Sequence, residues 1–207
     1  MSRVNIGIID GGFQGNHEDL NIPKTNMQYT AGNITPNLSS LGDNADHGTH
    51  VAGIIGATSN NDAGITGLVW NRNLYAFGTD FQDFDIKYGI LWNLKKGAKV
   101  INISIGFDLN NFINTFIQNN GRNPTQTKIQ TVLNSNNSHS INYWGSFVRK
   151  LINEGYDFLI VQAAGNSGID AQFNRIFGGI TDTESKKHLI IVGPLAITLQ
   201  LQFRLEV

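Results

Sequence analysis

Short apolar segments alternate with helical patterns along this chain, and that alternation is the feature that most limits its fold. Each segment is a continuous run rich in valine and isoleucine, as expected for a strand that is covered on both faces. The runs lie at 4–10, 73–79, 99–106, 157–165 and 188–194. Helical patterns fall between them at 47–58, 80–97 and 141–155. This order predicts an α/β fold in which helices on both faces of a parallel sheet make three layers.

Two long segments interrupt this order. Residues 15–46 are polar and rich in turn-forming residues, and residues 110–140 are rich in asparagine with little periodicity after an initial amphipathic turn or two. We expect both to be long loops, which in a compact domain are usually functional or disordered. Because there is no internal repeat and no linker, we expect a single domain over residues 1–207.

Composition excludes several classes of function. The 15 basic and 16 acidic residues give a net charge of -1, so there is no basic field for nucleic acid, and we expect no nucleic-acid partner. The absence of cysteine excludes disulfides, thiolate metal ligands and a cysteine nucleophile. No apolar window approaches the roughly 18 residues needed to cross a bilayer, and the first residues resemble a strand more than a signal peptide. We therefore expect no membrane partner and no targeting segment.

Polar residues follow several of the predicted strands, at the edge where ligands gather in parallel sheets. Asp10 ends the first strand, and His47 opens the first predicted helix. A helix N-terminus disfavours a cation, so a nearby carboxylate would have to stabilise a charged His47. Asp10 can supply that carboxylate, and an oriented, neutral histidine can act as a general base. A turn aspartate with no further role is the alternative for Asp10.

A second histidine, His50, lies three residues after His47. Zinc peptidases place two histidines four residues apart with a glutamate between them, and this segment has neither feature. We therefore expect His50 to have a structural role, packed under the helix and hydrogen-bonded to the backbone.

Asn166 follows a glycine at the end of the fourth predicted strand. Its side-chain amide can donate to an oxygen that becomes negative during acyl transfer, as an oxyanion-hole donor does. A simple Asn-Ser-Gly turn is the alternative reading of this residue taken alone.

Five blocks together make the pattern specific: GIIDGGFQGNHEDL, DHGTHVAGIIG, NNDAGITGL, VINISIG and AAGNSG, in this order. They resemble the subtilisin-like serine peptidases over most of residues 3–193. The resemblance implies a subtilisin-like fold and hydrolysis of peptide bonds through an Asp/His/Ser triad. It assigns the triad aspartate to Asp10, the general base to His47 and the oxyanion donor to Asn166.

The same resemblance implies where a peptide or protein substrate would bind. Ser104, Ile105 and Gly106 match the strand that pairs with an extended substrate beside the S1 pocket. The opposite wall of that pocket matches Ala163, Ala164 and Gly165.

The resemblance also implies a calcium site, which many members of the family lack. Asp19 and Asn61 occupy the matching side-chain positions, with backbone carbonyls near Ser59, Ala63 and Ile65. Oxygen ligands of this kind are those that calcium prefers. The alternative is a loop stabilised without metal.

The family's nucleophilic serine lies in a GTSMAAP-like motif, which is not found among these 207 residues. Ser167 lies inside a turn, Ser185 lies in a charged turn and Ser104 lies in the substrate strand, so none matches the nucleophile. We expect the chain as given to be inactive, with the C-terminal part of the fold missing. The alternative is a catalytically dead peptide-binding pseudoprotease.

Residues 194–207 form an atypical tail in which apolar and polar residues alternate as in an edge strand. Truncation or a frame change would explain this ending, and a genuine terminus is the alternative. If a covering layer is missing, we expect self-association through the uncovered sheet edge. A secreted or periplasmic location follows from the family analogy alone.

Overall fold

A parallel sheet forms the centre of the protein. The computed structural model describes residues 3–30 and 45–193, and within them six strands are ordered β2-β3-β1-β4-β5-β6, with every pair parallel. The strands are β1 (Val4–Asp10), β2 (Met27–Tyr29), β3 (Arg72–Gly78), β4 (Val100–Ile103), β5 (Leu159–Ala163) and β6 (Leu189–Val192). Because β1, β4 and β5 are neighbours, the residues that follow them meet at one edge of the sheet.

Helices pack on the two faces of the sheet and beside it. They are α1 (Ala45–Gly56), α2 (Asp83–Lys95), α3 (Leu109–Asn120), α4 (Gln126–His139), α5 (Gly145–Asn153) and α6 (Thr183–Lys186). One of them, α3, borders a cleft beside the sheet. Ile9 of β1 belongs to the core formed with α2 and α5, whereas its neighbour Ile8 belongs to the core formed with α1. Successive strand residues point to opposite faces, so the continuous apolar runs supply both cores. The predicted α/β fold with three layers is confirmed.

The expectation of a long loop at 110–140 is wrong, because this segment forms α3 and α4. Asp108 caps α3 by accepting a hydrogen bond from the Asn111 amide at 3.0 Å, and Gly121 ends the helix with a φ of 66°. Thr125 caps α4 through the Lys128 amide at 3.2 Å. The caps were readable in the sequence. The asparagines, which favour helices weakly, concealed the periodicity.

Other boundaries also differ from the prediction. The third predicted helix is a π-helical turn (Ser140–Trp144) followed by α5. A short strand, β2, lies in the segment predicted to be a loop. β4 ends at Ile103, so residues 104–106 lie beyond the ladder. The rest of the first predicted loop (31–44) and the tail at 194–207, with its predicted edge strand, lie outside the described residues.

Strand β6 pairs only with β5 within the described part of the chain. Two of its apolar side chains are largely exposed, Ile190 at 46% and Val192 at 51%. This is an apolar sheet edge of the kind that associates with other chains. Among the described helices, none has the length and apolar character to cross a membrane.

Candidate active site

The carboxylate of Asp10 lies at the end of β1 and is 2% exposed. Its Oδ1 accepts a hydrogen bond from the Gly11 amide at 2.7 Å. Burial raises the pKa of this carboxyl, while hydrogen bonds from His47 and Gly11 act in the opposite direction. Its Oδ2 has no hydrogen-bond partner among residues 3–30 and 45–193. Within the described residues, the hydrogen bonds that stabilise a negative charge on Asp10 are therefore all made to Oδ1.

His47, in the first turn of α1, contacts this carboxylate directly. Its Nδ1 lies 2.8 Å from Asp10 Oδ1, and its side chain is 59% exposed. A carboxylate only accepts hydrogen bonds, so the proton of a neutral imidazole lies on Nδ1 and the lone pair on Nε2. This arrangement can accept a proton at Nε2 from a group in the solvent-facing space.

Small and hydroxyl residues hold α1 against the loop that follows β1. A Cβ added to Gly48 would lie 2.0 Å from the Gly12 carbonyl oxygen and 3.0 Å from the Asp10 Cβ. Thr49 Oγ1 accepts a hydrogen bond from the Gln14 amide at 2.7 Å. His50 is exposed, so the expectation that it packs under the helix is wrong; it lines a small pocket with Asp19, Gly53 and Ile65.

A cleft of about 770 Å³ opens between the segments that follow β4 and β5 and the start of α3. It is lined by five of the predicted site residues, Ser104, Ile105, Gly106, Gly165 and Asn166. Ala163 and Ala164 lie beside it and bond to other segments: the Ala163 carbonyl accepts from Asn174, and the Ala164 amide donates to Val192. Asp10 and His47 do not line the cleft. Since β1 and β5 are two strands apart, Asp10 and Asn166 follow strands separated by about 10 Å.

Residues of the cleft that sequence reasoning missed come mainly from α3 and from a loop after β5. Phe107, Asn111 and Phe112 line the cleft near the start of α3. The Leu109 amide donates to Ser167 Oγ at 3.0 Å, which joins α3 to the loop that carries Asn166. In the sequence, Asp108, a typical helix N-cap residue, was the one signal that a helix begins here and could form this wall of the cleft.

A charged group lies at the far side of the cleft. Asp83 Oδ2 lies 2.7 Å from Arg175 Nη2 and 2.9 Å from His139 Nε2. Asp83 and Arg175 both line the cleft. These contacts connect α2, the end of α4 and the loop after β5, and the Asp83–Arg175 ion pair holds the cleft wall in addition to packing.

The side chains of Asp19 and Asn61, the predicted calcium ligands, lie together and are hydrogen-bonded to each other. Asp19 Oδ1 accepts from Asn61 Nδ2 at 2.9 Å, and its Oδ2 accepts from the Ile65 amide at 2.9 Å. The Ile65 amide, more than Asn61, lowers the pKa of the Asp19 carboxyl. Both carboxylate oxygens thus accept from N–H donors, and no three histidine, cysteine or acidic side chains cluster among the described residues. These hydrogen bonds stabilise the loop, and each carboxylate oxygen keeps a further lone pair that could bind calcium.

This chain is similar in sequence to several known proteins. Subtilisin E of Bacillus subtilis (strain 168) is 33% identical over 111 residues, a match that covers 51% of this chain and 27% of that protein. The Minor extracellular protease Epr of the same strain is 35% identical over 111 residues, covering 50% of this chain and 16% of that protein. The matched part thus spans less than a third of either relative. Among solved structures, MycP1 with its N-terminal propeptide removed is 22% identical with a TM-score of 0.49, covering 82% of this chain and 45% of that one.

The sequence profile of peptidase S8, the subtilase family, matches residues 2–193. That range contains Asp10, His47 and Asn166 as well as all six strands. The chain belongs to the subtilase family.

Proposed function

We propose that this chain supplies the aspartate, the histidine, the oxyanion donor and the peptide-binding cleft of a serine endopeptidase. The observation that carries the proposal is the 2.8 Å contact between His47 Nδ1 and the buried Asp10. In the proposed role, Asp10 fixes the tautomer of the imidazole, and Nε2 takes the proton of the nucleophile. Nε2 then returns that proton to the amine that leaves the cleaved peptide bond.

The cleft supports the binding part of the proposal. Residues 104–106 continue beyond the end of β4, so their backbone is available to pair with an extended peptide. Asn166 is exposed at the same cleft. Its amide is proposed to donate to the carbonyl oxygen as that oxygen becomes negative.

Hydrolysis also needs a nucleophilic serine, and the GTSMAAP-like motif of the family is not found in these 207 residues. We propose that the chain as given binds peptides but does not cleave them. Loss of the nucleophile leaves only the weak catalysis that binding and the oxyanion donor provide. The second candidate, a peptide-binding pseudoprotease, shares the cleft. It gives no physical reason for an oriented Asp10–His47 pair.

The first experiment reads the encoding DNA from the codon of Ile190 onward in all three frames. The proposal predicts a downstream GTSxAAP-like block. A chain extended to include that block should react with a fluorophosphonate probe, and its His47→Ala variant should not, whereas the 207-residue chain stays unlabelled. If no frame contains the block, or if labelling survives His47→Ala, the endopeptidase proposal fails and the pseudoprotease becomes the better account.

Peptide binding is tested separately on the 207-residue chain. Addition of an acetylated tetrapeptide amide should shift the backbone amide NMR signals of Gly106, Gly165 and Asn166. Shifts confined to other surfaces would contradict binding in the cleft. By analogy with the extracellular protease Epr, we also propose that the protein acts outside the cell, which detection of the chain in culture supernatant would test.

A further inference from the structure

A buried pair of amide side chains lies behind the cleft. Gln162 is 0% exposed and Asn174 is 1% exposed, and Gln162 Nε2 donates to Asn174 Oδ1 at 2.9 Å. Gln162 occupies a position on β5 that faces the same core as Ile160, where the apolar pattern of the strand calls for another aliphatic residue. A buried amide is tolerated only when its hydrogen bonds are satisfied, so the partners of this pair indicate why it is there.

Each amide holds one wall of the cleft. Gln162 Nε2 donates to the Ile105 carbonyl at 3.0 Å. Asn174 Nδ2 donates to the Ala163 carbonyl at 3.0 Å. A continuous hydrogen-bonded path therefore runs from the segment after β4, through the two side chains, to the end of β5.

The same pair also holds a third lining segment. The Phe177 amide donates to Gln162 Oε1 at 3.2 Å, and the Ile176 amide donates to Asn174 Oδ1 at 3.3 Å. Ile176 and its neighbour Arg175 line the cleft. The ladder between β4 and β5 ends at the pair Ile103 and Gln162. Beyond that point, the two side chains join all three segments.

Close backbone packing makes the cleft sensitive to this pair. A Cβ added to Gly106 would lie 3.1 Å from Gly165 Cα and 3.3 Å from Asn174 Nδ2. The two walls are therefore in contact at this point, with the Asn174 amide beside them. A change in the Asn174 position moves one wall relative to the other.

We propose that Gln162 and Asn174 are positioning residues that fix the separation of the cleft walls and thereby set the affinity for peptides and the selection among them. This proposal rests on the proposed function, since it assumes that the cleft binds peptide. The pair touches no substrate atom in this role. It acts through the Ile105 and Ala163 carbonyls and through the segment that carries Arg175.

The test compares three single variants and one double variant of the 207-residue chain. Gln162→Met keeps the length of the side chain and removes its hydrogen bonds, and Asn174→Ala removes the other amide. Asn93→Ala is the matched control, because Asn93 is also 0% exposed and bonds to the Gly89 carbonyl on α2, away from the cleft. The double variant of Gln162 and Asn174 should lose little more peptide affinity than either single variant, because the two side chains act as one unit.

The first readout does not need a peptide. Amide hydrogen exchange at residues 104–107 and 163–167 should rise together in Gln162→Met and in Asn174→Ala, and should stay unchanged in Asn93→Ala. If Asn174→Ala fails to fold, Gln162→Met by itself provides the test, because the proposal expects exchange to rise on both walls in that variant. Exchange that rises on one wall alone in Gln162→Met overturns the proposal.

The second readout measures binding of acetylated Ala-Ala-Ala-X amides, with X being Ala, Leu, Phe, Lys or Glu. Gln162→Met and Asn174→Ala should weaken binding by about tenfold, the range expected for a lost buried hydrogen bond, and reduce the differences among the five peptides. Equal weakening in Asn93→Ala would reduce the pair to a stability role and overturn the proposal. If the unmodified chain binds none of the peptides, the proposed function fails, and the exchange measurement still decides whether the pair couples the walls.

Discussion

Replacement of Gly48 by alanine tests whether helix packing sets the Asp10–His47 contact. The new Cβ would begin 2.0 Å from the Gly12 carbonyl oxygen, and real contacts of this kind are not shorter than 3.0 Å. The helix or the loop must therefore move by at least 1.0 Å. A displacement of that size along the 2.8 Å contact lengthens it to about 3.8 Å, which is too long for a hydrogen bond.

The energetic cost is the difference between two effects. Overpacking against backbone costs about 1–3 kcal/mol, while alanine favours a helix over glycine by about 0.5–1 kcal/mol. The net loss is then about 0–2.5 kcal/mol, and its middle value of about 1 kcal/mol lowers the Tm of a chain of this length by about 2–4 °C. Gly53→Ala is the matched control on the same helix, because its nearest neighbour is the flexible tip of Ile65 at 3.3 Å.

The assay combines thermal unfolding with imidazole ¹⁵N NMR of His47. Gly48→Ala should lower the Tm and remove the signal of a hydrogen-bonded Nδ1–H, whereas Gly53→Ala should keep the signal with an equal or higher Tm. If Gly48→Ala keeps both the Tm and the His47 signal, steric contact at Gly48 does not set the geometry of the pair, and our reasoning is refuted.

Three further predictions concern stability and association. The pKa of Asp19 is lowered, chiefly by the Ile65 amide. The carboxylate therefore stabilises the folded state above the unfolded pKa of 3.8, and this stabilisation is lost as the pH falls through the lower folded pKa. Asp19→Asn should reduce the Tm at pH 7, and a Tm difference that persists in full below both pKa values would contradict this. The guanidinium of Arg72 donates to the Gly56 carbonyl at 2.7 Å. Arg72→Met removes this donor and should lower the free energy of unfolding, measured in urea, by about 1–3 kcal/mol. An unchanged urea midpoint would show that this hydrogen bond does not stabilise the fold. Ile190 is 46% exposed on the edge strand and should promote self-association. Ile190→Lys should therefore reduce the mass measured by sedimentation at high concentration. An unmodified chain that is already monomeric would refute the idea.

The sequence determined the sheet and the pair at its edge. Uninterrupted apolar runs such as 4–10 can be buried only when both faces are covered, and that requirement holds for any arrangement of the loops. The position of Asp10 at the end of such a run and of His47 at a helix start predicted that they lie close, and they are 2.8 Å apart. The family followed from short motifs, which the profile over residues 2–193 confirms.

The sequence was less informative wherever local preference is weak. The asparagines of 110–140 gave little helical signal, yet two helices begin there at the caps Asp108 and Thr125, and the second buries Leu133 and Asn136. The residues around His50 do not indicate which side of the helix faces the core. Its exposure is determined by how α1 packs on β1.

Only the tertiary structure decided how the cleft is built. Gln162 in an apolar strand was the visible sign that something polar lay behind the sheet, but its partners Ile105 and Asn174 are 57 and 12 residues away in the chain. The same holds for Asp19, whose oxygens accept from Asn61 and Ile65. Hydrogen bonds between distant segments depend on where the strands and helices place them. Local sequence predicted most of the strands and helices, and the contacts between them appear only once the chain is folded.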